Sequence, residues 1–238
     1  MSSWILTLTK QYRLAPLTYE LGKEKHTFHF LNGPIPNAKA FPGLESFPGP
    51  YYRYYDRKQI DMSKLPDVFA NPPPEVKNAE DWTRQFRTTG LEYDRTLSAR
   101  EYVQDFVEND EQGPFDGIIG FSEGALVAAD VILEQARTKP PYPIKCAIFF
   151  CGAPPWDYDN HRYLLADESE ERICIPTLSV IGKKDVIAEA ARALYKVCDE
   201  DKAILMEHQG GHVVPRDMAS QKEMSQKIRR AINKARMS

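Results

Sequence analysis

The chain has 238 residues, 42 % of them hydrophobic and 27 % charged. This is the balance of a globular protein and excludes a disordered or fibrous class. One core burying roughly 70 to 75 % of the unfolded surface is expected, so residues 1–238 read as a single domain. A net charge of −3 argues against a nucleic-acid partner. Basic residues gather only near Lys227, Arg229, Arg230, Lys234 and Arg236, a run that reads as a solvated helix face.

In chain order, the first ten residues lack the basic lead and long apolar stretch of a signal peptide. No later segment approaches 18 apolar residues in a row, so no membrane partner and a cytoplasmic location are expected. Ile5 to Leu8 is a short strand candidate and Thr27 to Leu31 a second. The section from Gly33 to Tyr93, rich in proline, tyrosine and charge, reads as a loop-rich cap with short helices above a sheet. Ser98 to Glu108 has a helical period that places Tyr102, Val103, Phe106 and Val107 on one face, with Ser98 and Glu101 spaced as a capping box.

Phe115 to Phe121 is a strand, and Glu123 to Arg137 is a helix stopped by Lys139-Pro140-Pro141. Strands follow at Ile144 to Cys151, Cys174 to Ile181 and Ala203 to Glu207. Helices follow at Ala188 to Val197 and Ala219 to Ala235, the last with Met224, Ile228 and Ile232 as a buried stripe. This alternation predicts an α/β fold with a mainly parallel sheet covered by helices on both faces and working residues at the carboxyl ends of the strands. The four cysteines, Cys146, Cys151, Cys174 and Cys198, form no CxxC pair and read as buried reduced thiols.

The chemistry is concentrated in Gly120-Phe121-Ser122-Glu123-Gly124, where a buried strand meets a helix through Gly-x-Ser-x-Gly. A serine at so sharp a turn projects its hydroxyl above the sheet, the geometry of a nucleophile elbow; an ordinary helix-capping serine is the alternative. A serine hydroxyl needs a base and an orienting carboxylate. Asp185 follows the strand ending Ile181-Gly182, and His212 follows Gly210-Gly211 after the next strand, so Ser, Asp and His occur in the order this fold uses. Asp185 has an alternative role as a helix cap, with Asp199 and Asp201 as weaker rivals. Of His26, His29, His161, His208 and His212, only His208 competes with His212 as base. The peptide N–H of Glu123 is the expected oxyanion donor. Tyr51, Tyr52, Tyr54 and Trp156, joined by Tyr158, are candidates to line an apolar cleft, with ordinary loop packing as their alternative.

With these residues in place, the chain resembles the FSH family of serine hydrolases, an α/β-hydrolase group that includes fungal thioesterase-like enzymes of polyketide pathways. The likeness runs from about Tyr12 onward. It rests on Phe28-His29-Phe30-Leu31-Asn32-Gly33-Pro34, on Pro42-Gly43-Leu44 with Pro50-Tyr51-Tyr52, and on Phe115 to Gly124. Gly152-Ala153-Pro154-Pro155, Gly182-Lys183-Lys184-Asp185 and Gly210-Gly211-His212-Val213-Val214-Pro215 complete it.

The resemblance implies Ser122, Asp185 and His212 as the triad, and small ester or thioester substrates, including a polyketide acyl chain on a synthase carrier domain. It also implies no metal or organic cofactor. The chain departs from the family at its start, where a Leu-His-Gly-like turn usually supplies an oxyanion donor and Leu8-Thr9-Lys10-Gln11 stands instead. The expectation therefore includes a missing or altered first strand and oxyanion turn, a replacement donor near Thr9 to Gln11, and a hydrolase-fold binding protein as the alternative to an enzyme.

Overall fold

Two segments, Gly117–Phe121 and Cys146–Phe150, carry no charged or hydroxyl side chain, and every one of their residues is buried. Strands of this kind belong in the middle of a sheet covered on both sides. In the computed structural model, which describes residues 3–37, 49–55, 74–88, 98–138 and 143–237, they are its neighbouring inner strands β5 and β6. The sheet runs β10-β9-β6-β5-β1-β2, with β1 at Trp4–Leu8, β2 at Thr27–Phe30, β9 at Thr177–Gly182 and β10 at Ala203–His208. All five pairings are parallel.

Alternation along the strands divides the core in two. Leu6, Leu8, Ile118, Ala147 and Phe149 join one apolar cluster; Ile5, Ile119, Ile148 and Phe150 join the other. The first face is covered by α3 (Ser98–Asn109), α4 (Glu123–Thr138) and α5 (Ala188–Val197), the second by α1 (Gln11–Gly22) and α6 (Met218–Met237). Met224, Ile228 and Ile232 form the expected stripe of α6, each 4 % exposed or less. Its basic residues tie back to the body: Lys227 Nζ donates to the Leu205 carbonyl, Lys234 Nζ to that of Asp201, and Arg229 pairs with Glu24.

Of the alternatives at the start of the chain, the strand candidate Ile5 to Leu8 is the one present, as β1, and the first strand is not missing. β1 is an interior strand between β2 and β5, with Leu8 in register with Gly120. It passes into α1 through Thr9 and Lys10 alone. The helix α1 escapes a propensity reading because Pro16 lies inside it; burial of Leu14, Leu17 and Leu21 at 0 % exposure outweighs the missing N–H. From β1 the chain moves outward to β2, and from β5 outward the other way through β6, β9 and β10. The order therefore reverses between β1 and β5, the place where open α/β sheets bind ligands.

Within the expected cap from Gly33 to Tyr93, the described parts are a two-stranded ribbon of β3 (Ile35–Asn37) and β4 (Tyr51–Arg53) and the helix α2 (Ala79–Thr88). Pro42-Gly43-Leu44, the Lys139-Pro140-Pro141 stop and residues 38–48, 56–73 and 89–93 of the cap lie outside the described residues. A second ribbon, β7 (Trp156–Asp157) with β8 (Arg162–Tyr163), follows β6. Of the cysteines, Cys146, Cys151 and Cys198 are buried and Cys174 is exposed, all as free thiols.

Candidate active site

At the carboxyl end of β5 the chain turns into α4 within one residue, and that residue, Ser122, has φ 56°. This is the left-handed region, which costs a non-glycine residue about 1 kcal/mol or more and persists only where the surroundings fix it. The fixing bonds are present. Ser122 N–H donates to the Phe150 carbonyl of β6 at 2.8 Å, and the Ser122 carbonyl accepts from Ala125 N–H at 3.0 Å. The flanking glycines give the room: a Cβ on Gly120 would stand 2.4 Å from Ala125 Cα, and one on Gly124 would stand 2.1 Å from the Leu8 carbonyl oxygen. Gly124 therefore seats α4 against β1.

Asp185 sits in the turn closing β9, with its N–H donating to the Gly182 carbonyl at 3.0 Å. The side chain of Asp185 is fully buried and divides its two oxygens. Oδ1 accepts the Ile187 N–H at 3.0 Å, and Oδ2 accepts from His212 Nδ1 at 2.8 Å. Burial raises the carboxyl pKa, but the hydrogen bond and charge of His212, the Ile187 N–H and the Cys151 thiol together hold it below its usual value. The first bond is a local turn contact at the start of α5, so the cap-like role and the contact to histidine coexist on one residue.

His212 Nε2 lies 2.9 Å from Ser122 Oγ. Because Asp185 can only accept while ionised, Nδ1 carries the imidazole proton and Nε2 presents its lone pair to the serine hydroxyl. Phe121 meets the imidazole edge-on at 5.1 Å, and the Arg13 guanidinium lies over the other ring at 4.3 Å. Three chain segments thus bring together the three residues that the sequence singles out.

The rival residues are placed elsewhere. His208 Nδ1 accepts Gly210 N–H at 3.1 Å, so this imidazole steadies the loop that carries His212; its burial lowers its pKa. His26 is buried beneath the sheet edge near Glu24, and His29 pairs with Gln112 at 2.6 Å against Phe106 and Phe115. His161 occupies a turn with φ 49°. Asp199 and Asp201 share the turn before β10, where Asp199 Oδ1 accepts Asp201 N–H.

Of the residues expected to line a cleft, Tyr51 and Tyr52 are half-buried and share Lys10, whose Nζ lies 5.5 Å from each ring centroid. Tyr54 is only 6 % exposed, and its hydroxyl donates to the Leu31 carbonyl at 2.8 Å, which puts its ring in the core. Trp156 is half-buried and packs edge-on against Tyr163 at 5.3 Å.

Two features had no signal in the sequence. Asp130, in the middle of α4 and 3 % exposed, accepts the Tyr55 hydroxyl (2.9 Å), the Tyr158 hydroxyl (3.0 Å) and the Trp156 N–H (2.6 Å). Cys151, at the end of β6 with φ 48°, brings its Sγ into a group with Asp185 and His212 whose donor atoms all lie within 4.8 Å of one another. Among the described residues, no helix is long and apolar enough to cross a membrane.

Comparison with known proteins agrees with this architecture. The chain is similar to esterase FPY3 of Fusarium mangiferae, 26 % identical over 224 residues that make up 89 % of this chain and 84 % of that protein. It is also similar to hydrolase phiM of a fungal species, 37 % identical over 123 residues, 50 % of this chain and 58 % of that one. In fold it resembles the crystal structure of Arabidopsis thaliana SOBER1, with a TM-score of 0.55 across 98 % of this chain and 100 % of that one at 15 % identity. The model of the serine hydrolase (FSH1) family matches residues 9–224, a span that takes in the elbow, Asp185 and His212, and the chain belongs to that family.

Proposed function

We propose that this enzyme hydrolyses carboxylic esters or acyl thioesters with Ser122 as nucleophile, His212 as general base and acid, and Asp185 as the group that orients and stabilises the imidazolium. The observation that carries the reading is the continuous relay Ser122 Oγ to His212 Nε2 (2.9 Å) and His212 Nδ1 to Asp185 Oδ2 (2.8 Å), beginning at a serine with φ 56°.

In acylation, Ser122 Oγ attacks the carbonyl carbon as its proton passes to Nε2, and the imidazolium then protonates the departing alcohol or thiol. In deacylation a water gives its proton to Nε2 and attacks the acyl-enzyme, and collapse returns the proton to Ser122 Oγ and releases the acid. The peptide N–H of Glu123, first residue of α4, is one oxyanion donor. The second comes from the backbone between Thr9 and Gln11, which the register of Leu8 with Gly120 carries alongside the elbow. A missing second donor typically costs about 3 to 4 kcal/mol, roughly 10² to 10³ in rate.

Tyr51, Tyr52 and Trp156 form the acyl cleft, with Tyr54 behind them, a lining suited to an apolar or aromatic acyl group. Membership in a family with fungal esterases, such as FPY3, supports a small-molecule substrate, and a polyketide acyl chain on a carrier domain is the specific form of it. A preference for carrier-bound over free N-acetylcysteamine thioesters tests that partner. A second reading, a hydrolase-fold binding protein, draws on the two-residue Thr9-Lys10 link in place of a His-Gly turn.

Labelling by a fluorophosphonate, read by intact mass, separates the two. Labelling that disappears in Ser122→Ala and on heat denaturation supports the enzyme. A folded protein that stays unlabelled favours the binding protein.

A further inference from the structure

The triad has a fourth member that hydrolysis does not use. Cys151 directly follows β6 with its N–H donated to the Val180 carbonyl at 3.0 Å, and its left-handed φ of 48° is a strained conformation for a side chain branching from an L residue. Its thiol is fully buried. Its thiol donates a long hydrogen bond, Sγ to the Val213 carbonyl at 3.8 Å, and stands within 4.8 Å of the Asp185 carboxylate. A sulfur, a carboxylate oxygen and an imidazole nitrogen, all within 4.8 Å of one another, are a donor set suited to a thiophilic divalent cation and not to magnesium or calcium.

We propose that Cys151, Asp185 and His212 form an inhibitory zinc site, so that Zn²⁺ switches the hydrolase off at its own triad. Donors around tetrahedral zinc stand about 3 to 4 Å apart, so a donor pair near the 4.8 Å limit has to close by about 1 to 2 Å while the 2.8 Å pair of His212 Nδ1 and Asp185 Oδ2 opens slightly. Two of the three donors are already fixed: Cys151 by its strand, and Asp185 by the Ile187 N–H on its other oxygen, the type of outer contact that orients a metal-bound carboxylate. The third, His212, follows Gly210-Gly211, and its side chain is 35 % exposed, giving both the adjustment and the entry path.

Charge favours the exchange. A buried thiolate and carboxylate with a neutral imidazole neutralise Zn²⁺, whereas without metal burial keeps the thiol protonated.

The proton balance gives the mechanism of inhibition. Zinc takes the Cys151 sulfur as thiolate, releasing one proton to solvent. It also takes His212 Nδ1, whose proton moves to Nε2. The imidazole stays neutral, but Nε2 now points an N–H at Ser122 Oγ and has no lone pair with which to accept the serine proton.

The inhibition rests on the triad reading above; the metal binding does not. The test is titration of the full chain with Co²⁺ as a spectroscopic substitute and with Zn²⁺, against Mg²⁺ as control, in wild type, Cys151→Ser and Cys174→Ser. Expected are a thiolate-to-cobalt charge-transfer absorption in the near ultraviolet and release of one proton per metal. Zn²⁺ inhibition should be reversed by chelator, with the half-inhibiting concentration raised about 100-fold in Cys151→Ser relative to its own metal-free rate. Cys174→Ser, which changes the exposed thiol, should behave as wild type.

Absence of the absorption, or its loss in Cys174→Ser in place of Cys151→Ser, overturns the site. Metal-free protein that labels with fluorophosphonate yet neither binds nor responds to zinc leaves the hydrolase reading standing and removes this one. Cobalt binding through Cys151 in a protein that never labels does the reverse.

Discussion

Glu123 and Tyr54 are joined across 69 residues by a 2.7 Å hydrogen bond from the Tyr54 N–H to Glu123 Oε2. The residue after Ser122 therefore holds the aromatic segment from Gly49 to Tyr55 beside the elbow, while its peptide N–H faces a separate task. Glu123→Ala should keep fluorophosphonate labelling of Ser122 but raise KM for esters with bulky acyl groups. It should lower stability by about 1 to 2 kcal/mol, measured as a urea midpoint. Glu123→Gln retains an acceptor and should recover most of both losses. Unchanged KM in the alanine variant would detach this segment from the substrate cleft.

Backbone strain at the elbow gives a second expectation. Ser122→Ala removes the hydroxyl and leaves a Cβ at φ 56°, whereas Ser122→Gly removes the strain as well. Both variants should be inactive, and the glycine variant should be more stable than the alanine variant by about 1 kcal/mol in chemical denaturation. Equal stabilities would mean that the turn carries no strain.

The two histidines of the 208–212 loop separate by function. His212→Ala should lower kcat/KM by about 10⁴ or more, since it removes the group proposed to accept the serine proton. In His208→Ala the Gly210 N–H loses its partner, so the loop loosens and activity should fall by about tenfold with labelling retained. A collapse of labelling in both variants would make the loop, and not the base, the sensitive element.

Why His212 was readable from the sequence and other partners were not is a matter of range. The elbow, the Asp185 turn and the Gly210-Gly211-His212 segment are each written within a few residues: strand, breaker, functional side chain. Their pattern survives without knowledge of the fold. β1 is legible as Ile5 to Leu8, whereas α1 is obscured locally by Pro16 within the helix and decided by tertiary burial.

Cys151 reads as one more buried thiol until β6 and β9 are set side by side. Asp130 reads as a polar interruption on an apolar helix until Tyr55 and Tyr158 arrive from 75 residues before it and 28 after it. Charged side chains facing inward are the positions where a local pattern misleads, because their partners are distant in sequence.

The Asp130 cluster allows that point to be measured. Its carboxylate is buried in α4 and accepts two phenols and one peptide N–H, joining the segment after β4 to the ribbon of β7 and β8 that carries Trp156. Asp130→Ala removes the acceptor that three donors share and should cost about 3 to 5 kcal/mol, while Tyr55→Phe removes one charge-assisted bond and should cost about 1.5 to 3. The sum of the single losses of Tyr55→Phe and Tyr158→Phe should differ from the double variant, since both phenols bond the same oxygen, Oδ2. Burial and the Asp130 charge push the Tyr158 phenol above its ordinary value.

An unfolded tyrosine ionises near pH 10 and this one ionises higher, so its contribution is complete below about pH 10 and is lost as pH rises beyond it. The urea midpoint should therefore fall as pH rises above about 10, and Tyr158→Phe should flatten part of that fall. An unchanged alkaline slope in Tyr158→Phe would show that the phenol is not held by the carboxylate in solution.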